Sequence, residues 1–444
     1  MLLEEIQQAL VEERSEKIFR LMKENHPADV AVVLEELPYE DVLKFISFIS
    51  DKALAQILES QISEELQVKI VEAVPFARIL NVFTYMSQDD IVDILGNLPL
   101  AQRKQFLNMM KNRDSDDIER LLAYDPETAG GLMTTEFIAL NENLTVYEAF
   151  ETIRKIAPEK EVIETLFVVD DKTILKGTVD IREIFTKKES QRLSDILNSN
   201  VISVTPTTDQ EEVSLIVTKY NLSVVPVVNN KNRILGIITN DDIIHVINEE
   251  YTEDMYHMGG VDSEETLESP ALESVKRRLP WLVINLFTAF LASSVINLFS
   301  DTISQMVALA AAMPIVAGMG GNAGTQTVTI VVRSLALGEV DWGDWHGIVK
   351  EIGTGLINGL ITGVVAALAL FLMYGNLYLG LVIILAMIFD MVIAGIFGYV
   401  IPITVKHFGG DPALVSTVFL TTATDVCGFF GFLGLATLFM PWLR

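Results

Sequence analysis

An aspartate in the middle of an apolar stretch is the first residue in this sequence that can do chemistry. From Pro412 to Pro441 the chain begins PALVSTVFLTTATDVCGFFGF and stays apolar, long enough to cross a bilayer, with Asp425 near its centre. A carboxylate in hydrocarbon costs roughly 2.5–3.5 kcal/mol even on a lenient insertion scale, so it needs a partner or water. Thr421, Thr422 and Thr424 crowd beside it, and one helical face therefore offers oxygen atoms. Oxygen is the ligand type that hard divalent cations such as Mg²⁺ accept. The pattern points to an ion path, the alternative being a polar contact with another span.

A second stretch has the same character. AAMPIVAGMGGNAGTQTVTIVVRSLALGE, from Ala311, holds Pro314 and glycines 318, 320, 321 and 324, followed by the side-chain oxygens of Asn322, Thr325 and Gln326. Small residues let helices approach closely, and Gly or Pro can free carbonyls to line a cavity. A helix-packing face is the alternative. Asp390 sits inside a further apolar stretch, either beside the path or paired with Thr362 or Asn358; pairing is expected.

A third group of oxygen ligands is acidic and lies earlier in the chain. It comprises Asp89 and Asp93, then Glu211, Glu212 and Asp242, then Glu250, Glu253 and Asp254. Asp89/Asp93 and Glu250/Asp254 are four residues apart, so each pair shares a helical face. The plain reading of each group is a solvated acidic face. Brought together they would repel, and a divalent cation between them would offset the repulsion.

The elements that position these residues divide the chain by charge. The net charge is −28 over 444 residues, but only four Lys/Arg and eight Asp/Glu lie from Pro280 onward. The front is a soluble acidic module and the back a membrane module. An acidic balance speaks against nucleic acid and favours cations. The charged N-terminus lacks the apolar core of a signal peptide, and the single Cys427 lies in a span, so disulfides do not hold the front together.

Residues 1–128 read as helices broken at Pro38, Pro75 and Pro99. ADVAVVLEELP at Ala28 recurs as DDIVDILGNLP at Asp89, 61 residues on, which predicts a small all-α superhelical solenoid of acidic repeats. Residues 129–248 change to strands alternating with helices. FVVD at Phe167 matches PVVN at Pro226, and GTVDIREIF at Gly177 matches GIITNDDII at Gly236, each 59 residues on. Each copy reads helix, strand, strand, helix.

From Asp241 a helix runs to about Met258 and stops at Gly259-Gly260, and a second starts at Ser269-Pro270, so 241–279 form a stiff acidic connector. Residues 280–444 then hold five apolar segments, about 280–299, 305–334, 348–374, 377–404 and 412–440. Lys276, Arg277 and Arg278 predict a cytoplasmic N-terminus, and an odd span count places the C-terminus outside. Arg333, Lys350 and Lys406 fall on the cytoplasmic side of that scheme.

The two α/β copies resemble a tandem pair of cystathionine-β-synthase (CBS) domains. Such pairs often bind adenine nucleotides, ATP among them, through a Thr/Ser followed three residues later by Asp. Thr239 and Asp242 fit that pattern, whereas the first copy offers Asp180 and Glu183 with Arg182 between them; one nucleotide site is expected rather than two. The whole chain in turn resembles an MgtE-type magnesium transporter, on GGNAGTQ at Gly320 and GGDPALVS…TTATDVCG from Gly409, in that order behind a helical repeat domain, a CBS pair and a connecting helix. It departs from the family at Thr417-Val418, where members often have Asn-Pro or Gly-Pro after the matching Ser416, and at His245, where a carboxylate is common.

That resemblance implies a multidomain homodimer in the cell membrane, with a pore on the two-fold axis between the second and fifth spans. Asp425, Thr421, Thr424, Asn322 and Thr325 would line it. It also implies a Mg²⁺-selective path closed when cytosolic Mg²⁺ bridges Asp89, Asp93, Glu211, Glu212, Asp242, Glu250, Glu253 and Asp254. Co²⁺, Ni²⁺ and Mn²⁺ are further candidate ions. The rival reading is a carrier coupling divalent-ion movement to protons or Na⁺. An enzyme is not expected, for the sequence has no Walker loop, HExxH, GxSxG or Cys/His metal cluster.

Overall fold

The computed structural model describes residues 2–12, 14–60, 62–110, 112–157, 162–263, 265, 267 and 269–443. It divides into two compact units, Met1–Val246 and Ile247–Arg444. The first opens with ten short helices, of which α1 (Leu2–Val11), α2 (Ser15–Glu24), α3 (Pro27–Glu35), α4 (Tyr39–Phe48) and α5 (Asp51–Leu58) come first. The series continues through α6 (Glu64–Ala73), α7 (Phe76–Phe83), α8 (Gln88–Asn97), α9 (Leu100–Met109) and α10 (Asn112–Leu121).

Local chemistry explains where these helices start. Pro38, Pro75 and Pro99 each stand immediately before α4, α7 and α9, where a missing N–H costs nothing. Ser50 and Ser63 cap α5 and α6 by accepting from the backbone N–H of Ala53 and Leu66. Each helix is too short to stand alone and buries one apolar face, so the helices stack in pairs: α3 on α5, α5 on α7, α6 on α8, α8 on α10. Ile18, Leu34, Phe45, Ile57 and Ile79 are fully enclosed in that stack.

The α/β part follows with β1 (Ala139–Asn141), α11 (Val146–Ile156), β2 (Thr165–Val169), β3 (Leu175–Asp180) and α12 (Ile181–Thr186). The second copy supplies α13 (Gln210–Tyr220), β4 (Val224–Val228), β5 (Ile234–Thr239) and the start of α14 (Asn240–Met258). The β2–β3 and β4–β5 hairpins are antiparallel, and both register shifts come before the last residue of the first strand, at Val168/Val169 and Val227/Val228. The repeat legible in the sequence is thus a repeat of backbone irregularities as well. The structure adds β1, a three-residue strand parallel to β2, in front of the expected helix of the first copy. It is too short to alternate visibly, which is why the sequence reading passed over it. The Asn232 side chain donates to the Leu175 carbonyl at 3.0 Å, and the Leu175 N–H donates to the Asn232 carbonyl at 2.9 Å, joining the two copies.

The second unit begins within α14, which ends at Met258. Gly260 takes φ +69°, and its N–H donates to the His257 carbonyl, as a left-handed helix stop requires. Then come α15 (Ala271–Leu298), α16 (Ser300–Gln305), α17 (Ala308–Ala336), α18 (His346–Tyr374), α19 (Leu377–His407) and α20 (Pro412–Leu443). Pro270 is the N-cap of α15, one position earlier than the first-helical-residue role expected of it. Arg277 pairs with Asp262 at 2.8 Å, and Arg278 forks onto Glu265, which is 3% exposed. The connecting loop is therefore clasped to the first turns of α15.

Among the described residues four helices, α15, α18, α19 and α20, are long and apolar enough to cross a membrane. The expected fifth, α17, is a continuous 29-residue helix, but its glycines and polar residues lower its apolar content. α19 lies at the centre, packed by α17, α18 and α20, and its buried face joins the cluster of Leu379, Ile383, Ala386, Met387 and Met391 with Phe432 and Leu433. Lys406 donates to the Leu335 carbonyl at 2.9 Å, tying the ends of α19 and α17 together, while Asn376 donates to the Leu443 carbonyl at the other end.

Candidate functional site

The intramembrane group is built on α20 and α17. Asp411 caps α20, its two carboxylate oxygens accepting from the N–H groups of Ala413 at 2.7 Å and Leu414 at 3.3 Å. One helical turn separates Thr421 from Asp425, so both lie on one face, the first exposed and the second half-buried. The hydroxyls of Thr421 and Thr422 donate back to the carbonyls of Thr417 and Val418, and that of Thr424 to Leu420. None is spent on Asp425. Their remaining lone pairs are acceptors, as an oxygen-seeking cation needs. Thr424, expected among the path-lining residues, is fully enclosed instead, one 100° step round the helix from the half-buried Asp425.

On α17 the residues sort by face. Gly320, Gly324, Thr327, Val328 and Val331 are buried, while Asn322, Thr325, Gln326 and Thr329 are exposed. The Thr325 and Thr329 hydroxyls donate back to the carbonyls of Gly321 and Thr325, and the helix runs unbroken through the motif, although Pro314 has no N–H to give the Ala310 carbonyl. The result is a strip of exposed polar side chains along α17.

The glycines do different work from what their shared motif suggests. A side chain on Gly324 would meet Leu420 of α20 at 2.7 Å, whereas nothing lies within 4 Å of Gly321. Gly321 was expected to be a close-approach position; it lies on the open face. Gly324→Val is therefore expected to lower the melting temperature by about 4 °C or more through overpacking. Gly321→Ala should instead raise it by about 2–4 °C, since nothing opposes the added methyl and Ala is the better helix former by about 1 kcal/mol. Thermal unfolding in detergent compares the two.

Asp390, expected to pair with Thr362 or Asn358, does not. The Thr362 hydroxyl donates to the Asn358 carbonyl, and neither Asp390 oxygen has a hydrogen-bond partner among the described residues. It is fully enclosed on α19, against α17 and α20 rather than α18. Another buried acid escaped the sequence reading: Glu351 of α18 accepts from the Thr327 hydroxyl of α17 at 2.9 Å. Its place at the end of an apolar run, next to Lys350, reads as a helix end.

The end of α14 meets the same helices. His257 Nδ1 lies 2.5 Å from Asp411 Oδ2, Thr417 Oγ1 donates to the Met258 carbonyl at 3.3 Å, and Met258 packs with Val328, Val332, Ala413 and Leu420. Glu253 is one turn back, its Oε1 at 3.6 Å from His257. The carboxylates of Glu250, Glu253 and Asp254 thus ride on a helix whose tip touches the N-terminus of α20.

The first unit gathers its own acids. Asp89 of α8 is 8% exposed, and its Oδ1 has no hydrogen-bond partner among the described residues. Burial raises its pKa, and the nearby Asp241 adds to the shift. Burial pushes Asp90 up to about 8, with Asp89, Glu59 and Asp93 reinforcing it, although Ser87 donates to its carboxylate. Asp242 is likewise raised, to about 7, by burial and then by Asp89. Glu59, at the C-cap of α5, is raised by burial too. The α8 acids and the start of α14 therefore share one electrostatic neighbourhood. Glu59, Asp90 and Asp241 join it, and only tertiary packing reveals that. Among the described residues no three acidic, histidine or cysteine side chains close on one point tightly enough to hold a metal alone.

Glu211 and Glu212 stand in the first turn of α13, where the helix dipole favours them. Of the expected nucleotide residues, Thr239 donates its hydroxyl to Asp242, and Arg182 is bound to Asp180, whose carboxyl it holds down at about 2.

Comparison with known proteins follows the same divisions. The family model described as divalent cation transporter, MgtE, matches residues 313–435; the MgtE intracellular N domain matches 25–127; the CBS domain matches 129–189 and 193–249. The magnesium transporter MgtE of Thermus thermophilus is 32% identical over 441 residues, 98% of each chain. That of Bacillus subtilis is 29% identical, covering 95% of this chain and 93% of the relative. Among solved structures, the cytosolic domain of the Mg²⁺ channel MgtE in complex with ATP has a TM-score of 0.53 at 31% identity, covering 55% of this chain and 99% of that one. With its N domain, CBS pair and helical C-terminal region matched in order along essentially its whole length, the chain belongs to the MgtE family of transporters.

Proposed function

We propose that this protein is a Mg²⁺-selective channel of the cell membrane, a homodimer that admits Mg²⁺ down its electrochemical gradient and closes when cytosolic Mg²⁺ is sufficient. The observation that carries the proposal is a half-buried carboxylate, Asp425, midway along an apolar helix that packs against the polar-faced α17. Exposed Asn322, Thr325 and Thr329 are unfavourable against lipid and become favourable against water or a second copy. A two-fold axis along that face would bring two Asp425 carboxylates to one narrow path. Mg²⁺ dehydrates reluctantly, so the pair would hold it through its water shell. Selection among ions then follows from path width and ligand spacing. Five spans, α15 and α17 to α20, with the N-terminus cytoplasmic, complete the proposal; Lys406 and Leu335 mark the cytoplasmic end.

Closure follows from the acids. With Mg²⁺ between Asp89, Asp93 and Asp242 and on Glu250, Glu253 and Asp254, the cytosolic part is held compact and α14 stays seated against α20. An ion that binds the compact state better shifts the equilibrium toward it. An adenine nucleotide at Thr239 and Asp242, with Arg182, would bias the same element. The test is current in planar bilayers: a channel's reversal potential follows the Mg²⁺ gradient alone, and a shift with pH or Na⁺ establishes a coupled carrier instead. Deleting residues 1–128 is expected to leave the current in place while its Mg²⁺ sensitivity falls by about tenfold, the loss of one bridging contact. Full Mg²⁺ sensitivity in the truncated protein overturns the closing mechanism.

A further inference from the structure

Asp390 has no role in the path described above, yet the membrane unit is built around it. Its side chain is completely enclosed, and both carboxylate oxygens lack a hydrogen-bond partner among the described residues. Room for it is made by two glycines from different motifs. Any side chain on Gly320 of α17 would collide with the carboxylate, and one on Gly428 of α20 would lie 2.5 Å from Oδ1. Glycine inside a helix is a poor helix former, so two such residues facing one carboxylate keep space at a cost in helix propensity. Asp425 lies three residues before Gly428, on the same side of α20.

A buried carboxylate without donors is strongly unfavourable unless it holds a proton or a cation stands near. Two bases of the neighbouring helices are engaged elsewhere: Lys406 binds the Leu335 carbonyl and Lys350 is beside Glu351. We propose that Asp390 is a specificity-determining residue of the ion path, an enclosed negative charge behind Asp425 whose counter-charge is the permeating divalent cation. It does not ligate the ion, because it is sealed from the path; it acts through the field. A divalent ion gains twice what a monovalent ion gains from the same fixed charge, so the effect falls on valence selectivity and on Mg²⁺ occupancy. The inference rests on Asp425 lining the path.

The test is Mg²⁺ influx and reversal potential in proteoliposomes holding the full-length protein, with Asp390→Asn, Asp390→Ser and Asp425→Asn in parallel. Asparagine keeps the shape that fits between the glycines and removes the charge; serine is smaller and tolerates any collapse there. Both Asp390 variants are expected to raise half-saturating Mg²⁺ about tenfold and to lower the Mg²⁺/Na⁺ permeability ratio about tenfold, with a smaller change in maximal flux. A role in packing alone, or a permanently neutral acid, leaves both quantities unchanged in Asp390→Asn, and that result overturns the proposal. If Asp390→Asn does not assemble, Asp390→Ser decides on the same two readouts. Undiminished flux in Asp425→Asn overturns the path itself. Flux lost in Asp425→Asn with native behaviour in Asp390→Asn overturns only the role of Asp390.

Discussion

Asp425→Asn is expected to abolish Mg²⁺ influx, by at least about a hundredfold, and to leave a folded, membrane-inserted protein. A unit charge about 5 Å from a divalent ion is worth roughly 7 kcal/mol at an effective dielectric near 20, and a small part of that already exceeds two decades in rate. In the proposed homodimer the charge is removed twice. Folding should be spared because no hydrogen bond to Asp425 is seen among the described residues: the hydroxyls of Thr421, Thr422 and Thr424 are all donated to backbone carbonyls, and asparagine disturbs none of them. Removing a carboxylate from an apolar span also lowers its insertion cost. The measurement is ²⁸Mg²⁺ or dye-reported uptake into proteoliposomes, with size-exclusion elution and melting temperature as controls. Flux within about threefold of the native protein in a correctly eluting variant removes Asp425 from the path.

The second large effect concerns the cytosolic acids and depends on pH. In the compact arrangement Asp90 keeps its proton up to about pH 8 and Asp242 up to about pH 7, against an ordinary 3.8. Their pKa values are raised, so the ion-free compact arrangement binds more protons than the separated one. It is favoured in acid and loses that advantage as pH climbs from about 4 to about 8. Mg²⁺ has to displace those protons to bind. Half-inhibiting Mg²⁺ should therefore fall as pH rises from 6 to 8, by up to about tenfold per unit for each proton displaced.

Removing a ligand should do the reverse at fixed pH. Asp89→Ala or Asp242→Asn weakens Mg²⁺ inhibition, because a bridge lost between elements removes the ion's preference for the compact state. The competing outcome is a shut pore, since each change also relieves repulsion; that result would show repulsion rather than ion binding to be in command. Patch recordings at varied internal Mg²⁺ and pH measure both. Limited proteolysis adds a solution check at 128–132 and 258–268, although residues 264, 266 and 268 lie outside the described part of the chain. Mg²⁺, and not Na⁺ at equal ionic strength, is expected to protect them at pH 8.

What the sequence by itself determined was whatever periodicity and composition encode. Helical spacing between Pro38, Pro75 and Pro99 marked the solenoid, the 59-residue echo marked the paired hairpins, and long apolar runs marked the membrane helices. Asp425 was visible because one charged residue in such a run has no ordinary explanation. Tertiary structure alone decided which face each residue took. A motif is linear, but a helix turns 100° per residue, so GGNAGTQ splits into Gly320 and Gly324 packed inward and Gly321, Asn322 and Thr325 turned outward. The same rotation encloses Thr424 beside a half-buried Asp425. Long-range encounters were equally invisible to spacing. Asp90 meets the charges of Glu59, and Asp242 those of Asp89, because helices far apart in sequence pack side by side. Asp390 found no partner on α18 because the glycines of α17 and α20, and nothing in its own segment, made its place.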